Sequence, residues 1–430
     1  MKIVLIGAGS HSFGRGQIVD ILGAPELRGR QVRLTLVDHD EAALELMLRL
    51  AERIKAHSGS DVVLEGTTDR RKALPGADYV ITAVARKRMQ LWEQDFRVPL
   101  AYGFRHCLGE NGGPGAVFHA LRSLELVIPI CRDIEALCPQ ALLLNFTNPE
   151  ARVLHAILHL TRVRAVGICH GVFSALTLIS RLLQRPVEEL DIVSAGMNHF
   201  YTILRIVDKR TGENLWDELV AKGPADEAAA ARPLWKKMLE VFGVFSYPSD
   251  DHIGEYLSFG SDYGGIKWHY GLESRHLMVQ DPPPLPGLAA YASGQLPLDD
   301  VVLRPTTEIT VPMICDIELD RGLWRPAVNV LNTEGYIANL PRDGVVEVPA
   351  MVDARGVHPQ HVGALPEPFA AMIRTQFSII SLVTEAYRTR SKKQLLQALL
   401  MDPVVGSVTA AEKLLDDMLA LQSEFLPTFS

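Results

Sequence analysis

The chain has 430 residues, 47% hydrophobic and 22% charged, which is enough apolar material for one large core or two ordinary ones and excludes a wholly disordered chain. Lys plus Arg number 43 against 51 Asp plus Glu, a formal charge of −8 that disfavours a nucleic-acid partner, and basic runs such as Arg86-Lys87-Arg88 are too short to reverse this. Five cysteines (Cys107, Cys131, Cys138, Cys169, Cys315), odd in number and without a CxxC pair, argue against a disulfide framework and a zinc knuckle.

Met1-Lys2 passes directly into the apolar run Ile3 to Ile6, without the charged leader, long apolar segment or cleavage site of a secretory signal, so a cytoplasmic protein is expected. No uninterrupted apolar stretch approaches the roughly 20 residues of a membrane helix, and no membrane span or membrane partner is expected. In chain order, the strand Ile3 to Ile6 precedes a helix from about Phe13 to Leu22, a strand Arg33 to Val37 and an amphipathic helix Glu41 to Ala56. Strands follow at Tyr79 to Val84, Ala141 to Leu144 and Ala165 to Ile168, the last two separated by a helix through Arg152 to Leu160; Asp191 to Gly196 is a further strand candidate. Buried strands alternating with helices read as βαβ units on a parallel sheet. Beyond about residue 200, helices are predicted at Leu234 to Phe242, Pro368 to Tyr387, Lys392 to Leu400 and Thr409 to Leu421, with extended segments Pro326 to Val330 and Val345 to Val352. The proline-rich segment Asp281 to Gly287 cannot be a regular helix and reads as a loop or arm.

Gly7-Ala8-Gly9-Ser10-His11-Ser12 follows a strand and opens a helix, and Asp38 ends the next strand. That is the dinucleotide arrangement: glycines permit a tight turn and close pyrophosphate approach, the helix N-terminus offers amides, and the carboxylate binds ribose hydroxyls and repels a 2′-phosphate, favouring NAD. Ser12 stands at the third glycine position, which leaves the fingerprint incomplete. Three further motifs follow strands at the sheet's carboxyl edge, where such folds bind ligands: Asn145-Phe-Thr-Asn148-Pro149, Cys169-His170 and Asn198-His199. A thiolate, an imidazole and substrate oxygens make an open site for a borderline divalent metal, whereas a buried cysteine and a helix-capping histidine are the plainer reading of the Cys-His pair alone. Gly109-Glu110-Asn-Gly-Gly-Pro-Gly115 sets one carboxylate among backbone amides and reads equally as a substrate loop or a simple connection. Ser249-Asp250-Asp251-His252 to Glu255-Tyr256, with Tyr263 and Lys267 to Tyr270, gathers acids, histidines and aromatics suited to a sugar face, or to a solvated loop.

Taken together, these motifs resemble the family 4 glycoside hydrolases, NAD- and metal-dependent glycosidases that depart from two-carboxylate chemistry. The likeness extends through Leu121-Arg122, Gly167 to Val172, Gly196 to His199, Val328 to Val330, Asn339 to Pro341 and Glu347 to Pro349, covering nearly the whole chain. It implies a Rossmann-like doubly wound α/β sheet in residues 1–195, holding NAD through Gly7, Gly9, Ser10 and Asp38, followed by a mixed α+β domain in 196–430 for substrate, metal and oligomerisation, lactate/malate-dehydrogenase-like in overall plan. Cys169 and His199 would hold a divalent metal, usually manganese, and Asn148 would contact a small carbohydrate substrate. The implied mechanism moves a hydride from the sugar's C3 to NAD, which acidifies the C2 proton; metal bound to the C2 and C3 oxygens stabilises the resulting enolate. A base removes that proton, the C1 substituent leaves, water adds and the hydride returns.

The family's base is often a tyrosine assisted by a carboxylate; Glu110 matches the carboxylate, Tyr256 is the first choice of base and Tyr263 the next, with Asp250 a further acid or base. His170 stands where phosphosugar members carry Asp or Asn, and would serve the leaving group or a sugar hydroxyl. Trp92 replaces their upstream arginine, so the Cys-His-Gly-Val form is most similar to members acting on unphosphorylated α-uronides (α-glucuronides, α-galacturonides), ahead of neutral α-glucosides and α-galactosides. Arg88, Arg97 and Arg105 are candidates to pair a uronate carboxylate. A net dehydrogenase of lactate or malate type is the competing reading, and a homodimer or homotetramer is expected.

Overall fold

The computed structural model describes residues 1–11, 13–227, 231–263 and 287–430. Ser12, the Lys267 to Tyr270 cluster and the proline run 281–286 lie outside them, as does the side chain of Tyr263.

Six strands form a parallel sheet in the order β3-β2-β1-β4-β5-β6: β1 (Lys2–Ile6), β2 (Arg33–Val37), β3 (Val63–Thr67), β4 (Tyr79–Thr82), β5 (Leu142–Asn145) and β6 (Arg164–Gly167). This is the doubly wound dinucleotide-binding order. In β1, Ile3 and Leu5 enter one hydrophobic cluster while Val4 and Ile6 enter the other, so both faces are buried, as the unbroken apolar run predicts. One face is covered by the helices Phe13–Gly23, Glu41–Ser58 and Gly171–Leu183. The other is covered by Gly113–Leu137 and by the C-terminal helices Glu367–Thr389, Lys392–Leu400 and Val408–Leu421. The helix Gly113–Leu137 has the length and composition of a membrane span, but most of it is buried in this core.

The sheet does not stop at β6. It continues antiparallel through β9 (Leu323–Leu331), β10 (Val345–Asp353), β7 (Leu190–Met197) and β8 (Phe200–Asp208), with β11 (Gly356–Pro359) on β10. The 195/196 boundary expected from the sequence falls within β7. One cross-strand row, Gly167–Asn329–Glu347–Gly196, joins the end of β6 to the end of β7. That register brings the residues after both strands to the same edge, and with them Cys169 and His199.

Candidate active site

The nucleotide turn is built as its glycines require. Gly7 adopts a left-handed φ of 91°, and a Cβ there would lie 2.2 Å from the Ala83 carbonyl oxygen. Gly9 N–H donates to Asp38 Oδ2 at 2.8 Å, locking the turn to the end of β2. Ser10 Oγ accepts from Phe13 N–H at 3.3 Å, at the start of the following helix. The close helix packing normally given by the third glycine falls to Gly14, where a Cβ would lie 2.3 Å from the Ala8 carbonyl oxygen. The fingerprint that looks incomplete at Ser12 is therefore completed two residues later.

Cys169 and His199 meet: Sγ and Nε2 are 3.3 Å apart. His199 occupies the two-residue turn between β7 and β8 at φ 60°, a conformation rare for a non-glycine residue and concentrated at functional sites. Burial, with the facing His252 next, lowers the His199 pKa to about 3, so the ring is neutral, the form that binds metals. Burial first, then Glu347 and Glu308, push the Cys169 thiol well above its usual value. Among the described residues no group of three or more His, Cys, Asp or Glu is arranged to hold a metal.

Glu110 is buried beside this pair. Its Oε1 accepts from Arg88 Nη2 at 2.9 Å and from Asn148 Nδ2 at 3.1 Å, which joins two expected site residues. Burial pushes the Glu110 carboxyl up, but Arg88 and the surrounding histidines outweigh it, and the pKa is lowered. The amides of the glycine loop are not left for a ligand: those of Glu110, Asn111 and Gly112 all donate to Glu255 Oε2, at 2.9, 2.6 and 2.7 Å. His170 Nδ1 hydrogen-bonds Glu308 Oε1 at 2.8 Å, and this bond outweighs burial to raise the His170 pKa.

Two expected residues are otherwise engaged. Asp250 accepts from the amides of Leu234 and Trp235, both at 2.9 Å, and so caps the helix Pro233–Phe242. Its neighbour Asp251 faces the site instead, bonded to His252 Nδ1 at 2.9 Å, and the His252 ring stands edge-on to His199 with centroids 4.9 Å apart. Burial opposes charge on His252, but the Asp251 hydrogen bond and nearby carboxylates prevail and raise its pKa. Tyr256 is buried, its hydroxyl donating to the Asn198 carbonyl at 3.3 Å, and burial holds its pKa well above the usual phenol value. Of the candidate arginines, Arg97 pairs with Glu93 at 2.8 Å and Arg105 is exposed, so only Arg88 reaches Glu110. Trp92 is buried, its indole N–H on the Leu108 carbonyl at 3.0 Å.

The family model for family 4 glycosyl hydrolases matches residues 2–185, and the model of that family's C-terminal domain matches residues 194–405. The chain belongs to glycosyl hydrolase family 4. It is a glycoside hydrolase whose Rossmann-type half carries an antiparallel extension. This family 4 enzyme is 30% identical to an α-glucosidase from Erwinia rhapontici, over 99% of this chain and 98% of that one. It is 30% identical to an α-galactosidase from Rhizobium meliloti (100% and 90% covered) and 24% identical to an α-galacturonidase from Lachnoclostridium phytofermentans (99% and 97% covered). Among solved structures it superposes on a 6-phospho-α-glucosidase from gut microorganisms, described in complex with NAD and Mn2+, at a TM-score of 0.83 and 21% identity, covering 100% of this chain and 99% of that one. A malate dehydrogenase from Aeropyrum pernix superposes at a TM-score of 0.51 and 14% identity over 89% of this chain and 98% of that one, a likeness of fold alone. In the family 4 chain, Glu308 lies in no motif of the sequence and Glu347 entered only as the start of the Glu347 to Pro349 likeness, without a role, while Asp251, His252 and Glu255 stood unassigned within a noted cluster.

Proposed function

We propose that this chain hydrolyses an unphosphorylated α-glycoside, an α-uronide by preference, using NAD and a divalent metal such as Mn2+. The observation that carries this reading is the approach of Cys169 to His199 at 3.3 Å beside the Glu110–Asn148 hydrogen bond. Cys169 Sγ and His199 Nε2, 3.3 Å apart with the imidazole neutral, would both hold one divalent ion, a soft and a borderline donor side by side. A bound cation also supplies what the buried thiol lacks, because coordination deprotonates a cysteine outright. The Gly7–Gly9 turn against Asp38 fits NAD in the same way, with a backbone that no side chain could enter.

When bound, NAD supplies a hydride acceptor for the sugar's C3 and the metal a Lewis acid for its C2 and C3 oxygens. Asn148 and Glu110 orient the sugar's hydroxyls, the Arg88 contact keeping Glu110 ionised. His252, braced by Asp251, is the base for the C2 proton, in place of Tyr256, which holds the Asn198 carbonyl. His170, at the half-exposed rim and with its pKa raised by Glu308, donates to the departing glycosidic oxygen. Residues 1–195 serve the dinucleotide, while 196–430 complete the metal site and supply the contacts of a homodimer or homotetramer.

Arg88 supports the uronide, being a partly exposed cation on the carboxylate that meets Asn148, and a buried Trp92 gives a phosphosugar no arginine. A second reading, a neutral α-glucoside or α-galactoside, is favoured by the two relatives at 30% identity. Hydrolysis of paired p-nitrophenyl α-glycosides (glucuronide, galacturonide, glucoside, galactoside), with NAD and Mn2+ omitted in turn under reducing conditions, separates them. Nitrophenol release from a uronide that requires both, without net NADH, is expected. Faster release from a neutral hexoside selects the second reading, and NADH accumulation without cleavage overturns both.

A further inference from the structure

Beneath the Cys169–His199 pair the sheet carries a polar row that the chemistry above does not use. Gly167, Asn329, Glu347 and Gly196 are cross-strand neighbours on β6, β9, β10 and β7, so the side chains of Asn329 and Glu347 project from one face between two glycines. Asn329 and Glu347 are 1% and 2% exposed, and Glu347 is a fully buried carboxyl in the middle of the sheet. Burying a carboxyl there is costly unless its hydrogen bonds do something specific. The bonds run to both metal-bearing segments. Glu347 Oε2 accepts from Asn198 Nδ2 at 3.4 Å, and Asn198 is the residue before His199. The same oxygen accepts from Asn329 Nδ2 at 3.4 Å, and that amide also donates to the Gly167 carbonyl at 3.4 Å, two residues before Cys169. The glycines at both ends of the row are required by space: a Cβ on Gly167 would lie 1.6 Å from Glu150 Oε1, and one on Gly196 would lie 2.5 Å from the Phe200 carbonyl oxygen.

We propose that Glu347 is the positioning residue of the metal centre, its one carboxyl setting the spacing of the two ligand-bearing turns through Asn198 and Asn329. The inference rests on the Cys169–His199 reading of the metal site. Outer partners of metal ligands typically account for about tenfold to hundredfold in metal affinity. The test is Mn2+ titration of the full chain followed by the electron paramagnetic resonance signal of free Mn2+, with NAD affinity measured in parallel by fluorescence. Glu347→Ala should weaken Mn2+ binding at least tenfold and leave NAD affinity within about twofold, a separation that a general loosening of the sheet would not give. Glu347→Gln, which keeps one acceptor oxygen, should recover most of the loss. Should Glu347→Ala fail to fold, Asn329→Ala removes the β9 arm of the same network and should also weaken Mn2+ binding with NAD unaffected. Wild-type Mn2+ affinity in a folded Glu347→Ala, or in Asn329→Ala, overturns the proposal. Cys169→Ser separates the two levels: if it too binds Mn2+ like wild type, the metal assignment itself has failed, whereas its loss alongside an intact Glu347→Ala removes Glu347 only.

Discussion

Truncating Glu255 tests how the glycine loop is held. Its Oε2 takes the amides of Glu110, Asn111 and Gly112 at 2.6 to 2.9 Å, all buried, and a Cβ on Gly112 would lie 2.5 Å from the Glu255 carbonyl oxygen, so loop and carboxylate interlock. Glu255→Ala strands three backbone donors at about 1–3 kcal/mol each; water entering the vacated space brings the total to the low end, about 3 kcal/mol. A chain of this size can absorb that loss and still fold. The consequence for catalysis is larger than for folding, because the loop carries Glu110: a displacement of about 1 Å at a positioning group costs on the order of 10²-fold in rate. We expect kcat/KM on the preferred nitrophenyl glycoside, at saturating NAD and Mn2+, to fall about 10²-fold, and the denaturant midpoint to drop by an amount equivalent to about 3 kcal/mol. Glu255→Gln should retain most of both. Wild-type kcat/KM together with an unchanged midpoint in Glu255→Ala would refute the reasoning.

Asp38→Arg removes the acceptor of Gly9 N–H and brings a cation to the ribose position, so NAD affinity should fall about tenfold to hundredfold while NADP gains relative to it; an unaltered NADP-to-NAD ratio of dissociation constants counts against Asp38. Glu308→Gln keeps an acceptor for His170 Nδ1 but removes the negative charge that helps raise the His170 pKa, so the His170 ring resonance in an NMR titration should move to lower pH, and an unmoved titration would exclude the pairing. The sign follows for wild type: the pair's stabilisation is complete below the ordinary imidazole value near 6.5 and is lost as pH rises through the raised value, so leaving-group protonation fails on the alkaline side and fails earlier in the variant.

The parallel half was legible because strands buried on both faces leave unbroken apolar runs, and β1, β2, β4, β5 and β6 each lie within two residues of their expected ends. β3 escaped because Val63–Thr67 contains Glu65 and Gly66 and is only partly buried at the sheet's edge. The helix Gly113–Leu137 escaped because it opens on Gly-Pro-Gly and contains Pro129, which local rules read as a break. In the site, Cys169, His199, Glu110 and Asn148 follow strands or a glycine, which made them candidates, while the roles expected of them came only with the family resemblance. Asp250 and Asp251 are adjacent and chemically identical; only the fold shows that one caps a helix and the other faces His252. Glu308 bonds His170 across 138 residues of sequence and Glu347 bonds Asn198 across 149, so Glu308 lay in no motif and Glu347, though part of one, had no role to be read from it.

The seam between the parallel and antiparallel parts of the sheet has a practical meaning. β6 meets β9 at the single pair Gly167–Asn329, and β10 meets β7 at the single pair Glu347–Gly196. A chimera that joined the first 185 residues of this chain to the remainder of a relative would draw the two sides of the β6–β9 pairing from different parents, and would also split the core, because the C-terminal helices cover one face of the parallel sheet. Exchange of halves in this scaffold would therefore disturb the shared core together with the spacing of the Cys169 and His199 turns, so sugar specificity is better changed by point substitution than by swapping halves.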